Sequence, residues 1–200
     1  MRVYLAGPDV FLPDPLARAL ALKAVCAGHG LTGVFPLDPV PDEPPGWKTL
    51  PAARRIALQN EAHIRGSAAL IANLTPFRGP SADVGTVFEL GFARALGLPV
   101  FAWSNDSRPF TERTLAWLAG SVKHDALGDC RDADGMLVEN FGCVDNLMLE
   151  GAVFASGGCL VLRHAPAQQD ELDIFARCVA RVAAELRGRD AGGRASTWPG

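Results

Sequence analysis

The sequence predicts an α/β protein whose parallel sheet is covered by helices on both faces. Two observations carry this prediction. Three short segments are continuously apolar, VYLA at 3–6, AALIANL at 68–74 and LPVFAW at 98–103, which is typical of strands buried on both faces. Between them lie longer segments with apolar residues at helical spacing, and strands that alternate with helices favour a parallel sheet.

The first half of the chain begins with a buried strand that Gly7-Pro8 stops. The predicted elements are a strand at 3–6, a loop at 7–12, a helix at 16–30 that ends at Gly28 or Gly30, a strand at 31–36, a loop at 36–51 and a helix at 52–66. The loop at 36–51 is too rich in proline for a helix or a strand, and ordered loops of this length are often functional.

The second half continues the alternation of strands and helices, and after Asp106 the sequence pattern predicts the elements less clearly. The predicted elements are a strand at 68–74, a loop at 74–84, a helix at 86–97, a strand at 98–103, helices at 111–120 and 145–156 around a loop at 124–135, and an amphipathic helix at 169–189. The 86–97 helix places Val84, Val87, Phe88, Gly91 and Ala95 along one stripe. Residues 1–188 are predicted to form a single domain, followed by a flexible tail at 189–200.

Composition restricts the partners. Lys and Arg number 19 against 22 Asp and Glu, which gives a net charge of −3. This charge does not favour binding to a nucleic acid polymer or an anionic membrane. The five cysteines are odd in number and include no C-x-x-C, which predicts neither disulfides nor zinc and fits a reducing cytoplasm. A small-molecule partner, no metal and no organic cofactor are expected.

Glu89 stands in an apolar run, between Phe88 and Leu90, where a carboxylate is costly unless it is paired, protonated or used. If Asp83 caps the helix, Glu89 lies less than two turns in, and its side chain leans back over Gly85. The pattern indicates a slot with one carboxylate at its base and another at its rim. Two carboxylates in different surroundings suit glycosidic-bond chemistry, with Glu89 as the nucleophile.

Plainer interpretations stay open at this point. Asp83 can serve only as an N-cap, Glu89 can form an ion pair with Arg78 or Arg94, and the turn at 78–80 can be only a turn. Trp47 can stack on a base or pack onto its own domain. The four histidines, at 29, 63, 124 and 164, show no metal-ligand spacing and are expected to be surface or core residues.

Three segments resemble the nucleoside 2-deoxyribosyltransferase family. They are VYLAGPDVF at 3–11, IANLTPFRGPSADVGTVFELGFARALGLPV at 71–100 and VENFGCVDNLMLEGA at 138–152. The central segment is specific, because its Asp and Glu stand six apart around a Gly-Thr pair. The resemblance implies a flavodoxin-like doubly wound sheet and transfer of a 2-deoxyribosyl group between nucleobases, with deoxynucleosides and free nucleobases as the partners.

The resemblance also implies roles for individual residues. Glu89 is similar to the nucleophile, Asp83 to a carboxylate that contacts substrate, and Tyr4 to a tyrosine that orients the nucleophile. Asn146 and Met148 resemble residues that one subunit inserts into its neighbour's site, so a homo-oligomer with shared sites is expected. The further substrate-binding candidates are Gly7, Asp9, Phe11, Asn60, Phe77, Arg78 and Gly85.

Two departures from the family pattern affect the expected chemistry. Asn60 stands near the position of an Asp that helps with the base, and Ala68 stands where many members carry an Asp. A neutral Asn60 can hydrogen-bond a base but cannot act as a general acid, so the leaving base takes its proton from Asp83 or water. Two alternatives remain: a hydrolase of nucleosides or deoxynucleoside 5′-monophosphates on the same scaffold, and a non-catalytic nucleotide-sensing module.

Overall fold

The computed structural model describes residues 1–40, 46–163 and 172–192. The strands are β1 (Arg2–Ala6), β2 (Thr32–Val34), β3 (Ala69–Asn73), β4 (Val100–Ser104), β5 (Lys123–His124), β6 (Cys130–Arg131) and β7 (Leu160–Leu162). The helices are α1 (Pro15–Gly28), α2 (Ala52–Arg65), α3 (Val84–Ala95), α4 (Phe110–Trp117), α5 (Leu147–Ala155) and α6 (Asp173–Gly192). Short 3₁₀ turns follow β1 at Pro8–Phe11 and precede α2 at Trp47–Thr49.

Five of the strands form one parallel sheet in the order β2-β1-β3-β4-β7. This is the flavodoxin-like order, in which the winding direction reverses between β1 and β3, and ligands bind outside the carboxyl ends of the strands near such a reversal. The predicted fold class, a flavodoxin-like doubly wound sheet with helices on both faces, is confirmed.

The two faces of the sheet carry separate apolar cores. Because successive side chains of a strand point to opposite faces, Val3 and Leu5 of β1 pack with α1 and α6, whereas Tyr4 and Ala6 pack with α2, α3 and α5. Tyr4 has no exposed surface. Its position in β1 therefore sends the phenol toward α2 and α3.

The predicted stripe on the third helix does not face the core. Val84 is 83% exposed and Phe88 is 60% exposed, and the residues of α3 that are buried against the sheet are Thr86, Glu89, Leu90 and Ala93. The helix is apolar on both sides, so the spacing of its apolar residues does not decide which side faces inward. Glu89 lies on the inner side.

The sheet edge at β7 was not predicted. β7 has only three residues, all of them half-buried, and its first contact with the sheet requires a glycine. A Cβ on Gly158 would lie 1.7 Å from the carbonyl oxygen of Val100, a distance that no side chain permits. A second unpredicted feature is the small antiparallel hairpin of β5 and β6, which occupies the predicted loop at 124–135.

The end of the chain differs from the predicted tail at 189–200, because α6 continues to Gly192. Part of the predicted loop at 36–51, the histidine at 164 and the segment from 193 onward lie outside the described residues. Among the residues that are described, no helix is both long enough and apolar enough to cross a membrane.

Candidate active site

Three elements converge on the carboxylate of Glu89. Tyr4 of β1 donates its hydroxyl hydrogen to Oε1 of Glu89 over 2.7 Å, and Asn60 of α2 donates from Nδ2 to the same oxygen over 3.0 Å. These two hydrogen bonds, rather than the alternative ion pairs with Arg78 or Arg94, are the contacts that hold Glu89 among the described residues. Tyr4 and Asn60 are two of the predicted site residues, and the fold brings both to the predicted nucleophile.

Burial raises the pKa of the Glu89 carboxyl from its ordinary value of 4.5 to about 7. The hydrogen bonds from Tyr4 and Asn60 oppose this rise in pKa, and the negative charge of Asp83 adds to it. Burial likewise raises the pKa of the Tyr4 phenol, and the adjacent Glu89 charge raises it further. Tyr4 therefore stays protonated and acts as a donor, while Glu89 exchanges its proton near neutral pH.

This raised pKa predicts how a Glu89→Gln variant responds to pH. Between pH 4.5 and about 7 the folded protein holds a proton that the unfolded chain has lost, so the wild type loses stability as pH rises through that window. Gln carries no charge and keeps an oxygen for both donors. We expect the variant to gain about 3 kcal/mol in free energy of unfolding, relative to wild type, from pH 4 to pH 8. Urea denaturation at both pH values measures this change.

An exposed carboxyl provides the control for this experiment. Glu112, in the first turn of α4, is exposed, and a Glu112→Gln change should alter the pH dependence by less than about 0.5 kcal/mol. A Glu89→Gln protein whose stability follows that of wild type in parallel from pH 4 to pH 8 would show that the carboxyl is not desolvated as the fold indicates.

Glu89 borders a cavity of about 290 Å³ between α2 and α3. Asn60 and Gly85 border it as well, and its apolar walls include Ile56 and Phe88. Small-molecule pockets typically combine apolar walls with a few polar groups that fix orientation. The cavity is therefore the candidate reaction site, with the carboxylate as its principal polar group.

Asp83 forms the N-cap of α3 beside this cavity. Its Oδ2 accepts hydrogen bonds from the backbone nitrogen of Thr86 over 3.0 Å and from the Thr86 hydroxyl over 3.1 Å. A Cβ on Gly85 would lie 3.0 Å from the same Oδ2, so the glycine leaves room for the cap. Asp83 is thus fixed one and a half turns before Glu89, close enough to influence its protonation.

Other predicted substrate-binding residues gather at a second, smaller cavity of about 180 Å³ at the carboxyl ends of β1, β3 and β4. Phe11 and Phe77 border it with stacked rings whose centroids are 5.3 Å apart. The guanidinium carbon of Arg78 lies over both rings, 5.1 Å and 4.6 Å from their centroids. The rings and the guanidinium form a flat, partly exposed surface of the kind on which bases stack.

Asp9 borders the same cavity, but its carboxylate already bonds to other residues of the protein. It is buried, pairs with Arg18 over 2.7 Å and accepts a hydrogen bond from Asn73 over 3.0 Å. A Cβ on Gly7 would lie 2.6 Å from an Asp9 oxygen, so Gly7 permits this packing. Both of these predicted residues therefore contact neighbouring parts of the fold, and neither borders the Glu89 cavity.

Asn146 and Met148 lie at the start of α5 and do not border the Glu89 cavity. Asn146 is the N-cap of α5, since its Oδ1 accepts from the backbone nitrogen of Met148 over 3.0 Å, and its Nδ2 donates to Glu139 over 2.7 Å. Met148 is 69% exposed. Met148 is thus exposed and Asn146 half-buried, and their predicted role in a neighbouring subunit stays a prediction.

Asp145, which the sequence analysis did not single out, ties these two regions together. It is buried, and its Oδ1 accepts from the Ser81 hydroxyl over 2.5 Å and from the backbone nitrogen of Asn146 over 2.8 Å. Its Oδ2 accepts from the backbone nitrogen of Ala82 over 3.0 Å. One carboxylate therefore holds both the segment just before Asp83 and the start of α5.

Arg113 of α4 supports Asp145 from the other side. Its guanidinium lies 3.5 Å from Asp145 and donates to the backbone carbonyls of Pro80, Arg108 and Val144. Burial lowers the pKa of Arg113, and the Asp145 charge opposes that change. The only sequence signal for this network was the Asp directly before Asn146, because the other partners lie more than thirty residues away.

The loop at 36–51 is anchored to α2 at its first residues. Gln59 donates to the carbonyls of Pro36 and Asp38 over 2.9 Å each, and the ring of His63 contacts the Asp38 carbonyl over 2.8 Å. The ring of His63 also stacks near Tyr4, with centroids 6.4 Å apart. Within residues 1–40, 46–163 and 172–192, no group of side chains has the makeup of a metal site.

Known proteins resemble this chain over most of its length. A family model described as nucleoside 2-deoxyribosyltransferase matches residues 3–148. An uncharacterized protein of Schizosaccharomyces pombe (strain 972) is 34% identical over 168 residues, which cover 78% of each chain. The solved structure of 2-desoxiribosyltransferase from Leishmania mexicana is 30% identical, with a TM-score of 0.58 over 89% of this chain and 96% of that chain.

A second solved structure shares the fold at lower identity. A conserved protein from Enterococcus faecalis V583 is 21% identical, with a TM-score of 0.52 over 90% of this chain and 96% of that chain. The chain spans most of the length of each of these relatives, so the likeness extends beyond the segment around Glu89.

Proposed function

This chain belongs to the nucleoside 2-deoxyribosyltransferase family, and from that premise we propose that it transfers a 2-deoxyribosyl group between nucleobases by double displacement through Glu89. The observation that carries the proposal is a buried carboxylate at the wall of a cavity, with both of its hydrogen-bond donors on one oxygen. A nucleophile needs such an unoccupied, desolvated oxygen directed at the reacting carbon.

In the first displacement, a Glu89 oxygen attacks the anomeric carbon of a deoxynucleoside. The carbon–oxygen bond of a glycosyl ester forms while the carbon–nitrogen bond to the base breaks, and the electron pair of that bond leaves with the base. The departing base takes its proton from water, because Asp83 acts on Glu89 as an ionised carboxylate. In the second displacement, a nitrogen of the acceptor base attacks the same carbon and gives its proton to water. The carbon–oxygen bond of the ester breaks, and its electron pair returns to the Glu89 carboxylate.

The charges around the cavity support an unphosphorylated substrate. Glu61 borders the cavity together with Glu89, and Asp83 lies close enough to raise the pKa of Glu89. Glu61 is paired with Arg65 over 3.9 Å, but the charges of Glu89 and the nearby Asp83 repel a phosphate, although a helix N-terminus alone would attract one. We therefore propose nucleosides rather than nucleoside monophosphates as the donors.

We also propose that a second copy of this chain covers the cavity. Ile56 and Phe88, which line the cavity, are 55% and 60% exposed, and Val84, Met148 and Phe154 add further exposed apolar side chains on α3 and α5. Exposed apolar surface of this kind often marks an interface between proteins. A homo-oligomer would cover these side chains and exclude water from the glycosyl ester.

Product analysis tests the proposed reaction. The protein is incubated with deoxyinosine in the presence and absence of free adenine, with a Glu89→Gln protein as the inactive control. New deoxyadenosine is the expected result. Hypoxanthine release that does not depend on adenine would instead identify a hydrolase, and binding without either product would identify a sensing module.

A further inference from the structure

The two oxygens of the Glu89 carboxylate have different surroundings. Oε1 accepts from both Tyr4 and Asn60, whereas Oε2 accepts no hydrogen bond from any residue that the structure describes. Each donor lowers the electron density of the oxygen that it binds, so Oε2 is the better nucleophile of the pair. The arrangement distinguishes an anchored oxygen from a reactive one.

The Asn60 amide is oriented with its nitrogen toward Glu89. An ionised carboxylate only accepts hydrogen bonds, so Nδ2 of Asn60 must face Glu89. That choice leaves Oδ1 of Asn60 buried and without a hydrogen-bond partner among the described residues, which costs about 1 to 3 kcal/mol. In this position the amide oxygen of Asn60 is left unpaired, while the amide nitrogen bonds to Glu89.

We propose that Asn60 is a positioning residue that, with Tyr4, fixes Oε1 of Glu89 and thereby assigns the attack to Oε2. This inference rests on the proposed function. When Oε2 bonds to the anomeric carbon, Oε1 becomes the carbonyl oxygen of the ester and keeps both donors. When the acceptor nitrogen displaces the ester, the electron pair of the broken bond returns to the carboxylate, and the donors on Oε1 stabilise the returning charge.

An amide suits this position better than an acid would. A carboxyl group at residue 60, only 3.0 Å from Oε1, would be a like charge, and two carboxyl groups at that distance hold a shared proton to higher pH. The Asn of this chain donates at every pH and leaves Glu89 free to ionise. Asn60 thus serves the nucleophile here.

Several ionisable groups lie around Glu89. Tyr4 approaches from β1 and Asp83 from the start of α3. From α2, Glu61 borders the same cavity, and the ring of His63 stacks near Tyr4. None of these groups is altered by a substitution at residue 60, so a change in the Glu89 titration reports the lost amide.

The decisive variant is Asn60→Leu, which keeps the branched shape of the side chain and removes both the donor to Glu89 and the unpartnered amide oxygen. We expect the midpoint of the Glu89 titration to rise by about one pH unit, and the second displacement to slow roughly 10- to 100-fold. KM should change by less than about threefold, because the donor acts on the nucleophile rather than on the substrate. Asn60→Asp should raise the midpoint further. Asn60→Ala is measured beside them in case Leu perturbs folding.

Two measurements separate this inference from the proposed function. Carbon-13 NMR of proteins labelled at the glutamate carboxyl carbons gives the Glu89 midpoint without turnover, with the signal assigned by its loss in Glu89→Gln. Rapid-quench kinetics with deoxyinosine and adenine gives the rates of the two displacements. The matched control is Gln59→Leu, which removes an amide of the same helix whose partners among the described residues are Pro36 and Asp38.

An unchanged Glu89 midpoint in Asn60→Leu overturns the inference, and so does a shifted midpoint with unchanged rates of both displacements. A shift as large in Gln59→Leu overturns it as well, because the effect would then belong to α2 as a whole. If the wild type forms no glycosyl ester, the proposed function fails, while the NMR titration still decides whether Asn60 anchors Glu89.

Discussion

A Glu89→Gln protein should lose transfer activity almost completely, with kcat lowered at least about 1,000-fold, while it folds and still binds nucleoside. Gln retains an oxygen for the donors Tyr4 and Asn60, which bind Oε1 in the wild type, so the cavity should keep its shape. It lacks the carboxylate that forms the ester. Steady-state kinetics with deoxyinosine and adenine measures the loss, and nucleoside binding by calorimetry shows that the site persists.

The covalent intermediate gives this prediction a second measurement. Wild-type enzyme quenched during turnover of a deoxynucleoside should carry added mass on the peptide that contains residue 89, and the Glu89→Gln protein should not. The exposed Glu112→Gln change serves as the control and should retain full activity. A Glu89→Gln protein that keeps more than about a tenth of the wild-type kcat would rule out attack by this carboxylate.

Mixing two inactive proteins should restore activity if the sites are shared between subunits. Asn146→Ala would damage the residue contributed to the neighbour, and Glu89→Gln would damage the pocket. After mild dissociation and mixing in equal amounts, random pairing makes about half of the dimers mixed, and each mixed dimer has one intact site. Activity should rise from near zero to about a quarter of the wild-type value per subunit.

Loss of the helix cap needs its own control in this experiment. Asn146 caps α5, and removing a cap costs about 1 kcal/mol, so Asn146→Ser, which keeps a capping oxygen, is mixed in parallel. Subunits tagged by mass establish that exchange has occurred. If exchange is complete and the mixtures remain inactive, Asn146 acts within its own chain and the shared site is excluded.

The sequence predicted the central strands β1, β3 and β4 because each is a continuous apolar run. It did not predict β7, whose three residues are all half-buried and whose pairing depends on the backbone of Gly158 approaching Val100. A glycine that is needed for close approach looks, in a single sequence, like any glycine in a turn.

The third helix shows a different limit. Its outward apolar residues, Val84 and Phe88, follow the spacing of a core-facing stripe as well as its inward residues do. The inward side includes two polar residues, Thr86 and Glu89, which the hydrophobic pattern assigns to solvent. A carboxylate in an apolar run is costly unless it is paired, protonated or used, and this cost marks Glu89 as a candidate site residue despite that pattern.

The contacts of Glu89 were only partly predictable. Its lean over Gly85 follows from helix geometry, and the role of Tyr4 came from the family resemblance. The hydrogen bond from Asn60 joins residues 29 positions apart and depends on how α2 packs beside α3. No local pattern encodes that packing, and the contact with a base that the family resemblance suggested for Asn60 stays a prediction.

Asp145 has a consequence for genetics. Its carboxylate holds both the segment before Asp83 and the backbone of Asn146, so one substitution there should disturb the pocket of its own subunit and the segment offered to the neighbour. If the sites are shared between subunits, an Asp145→Asn allele paired with either a Glu89 or an Asn146 allele would leave every site with at least one lesion. Such an allele would belong to both complementation groups at once, and neither partner would rescue it.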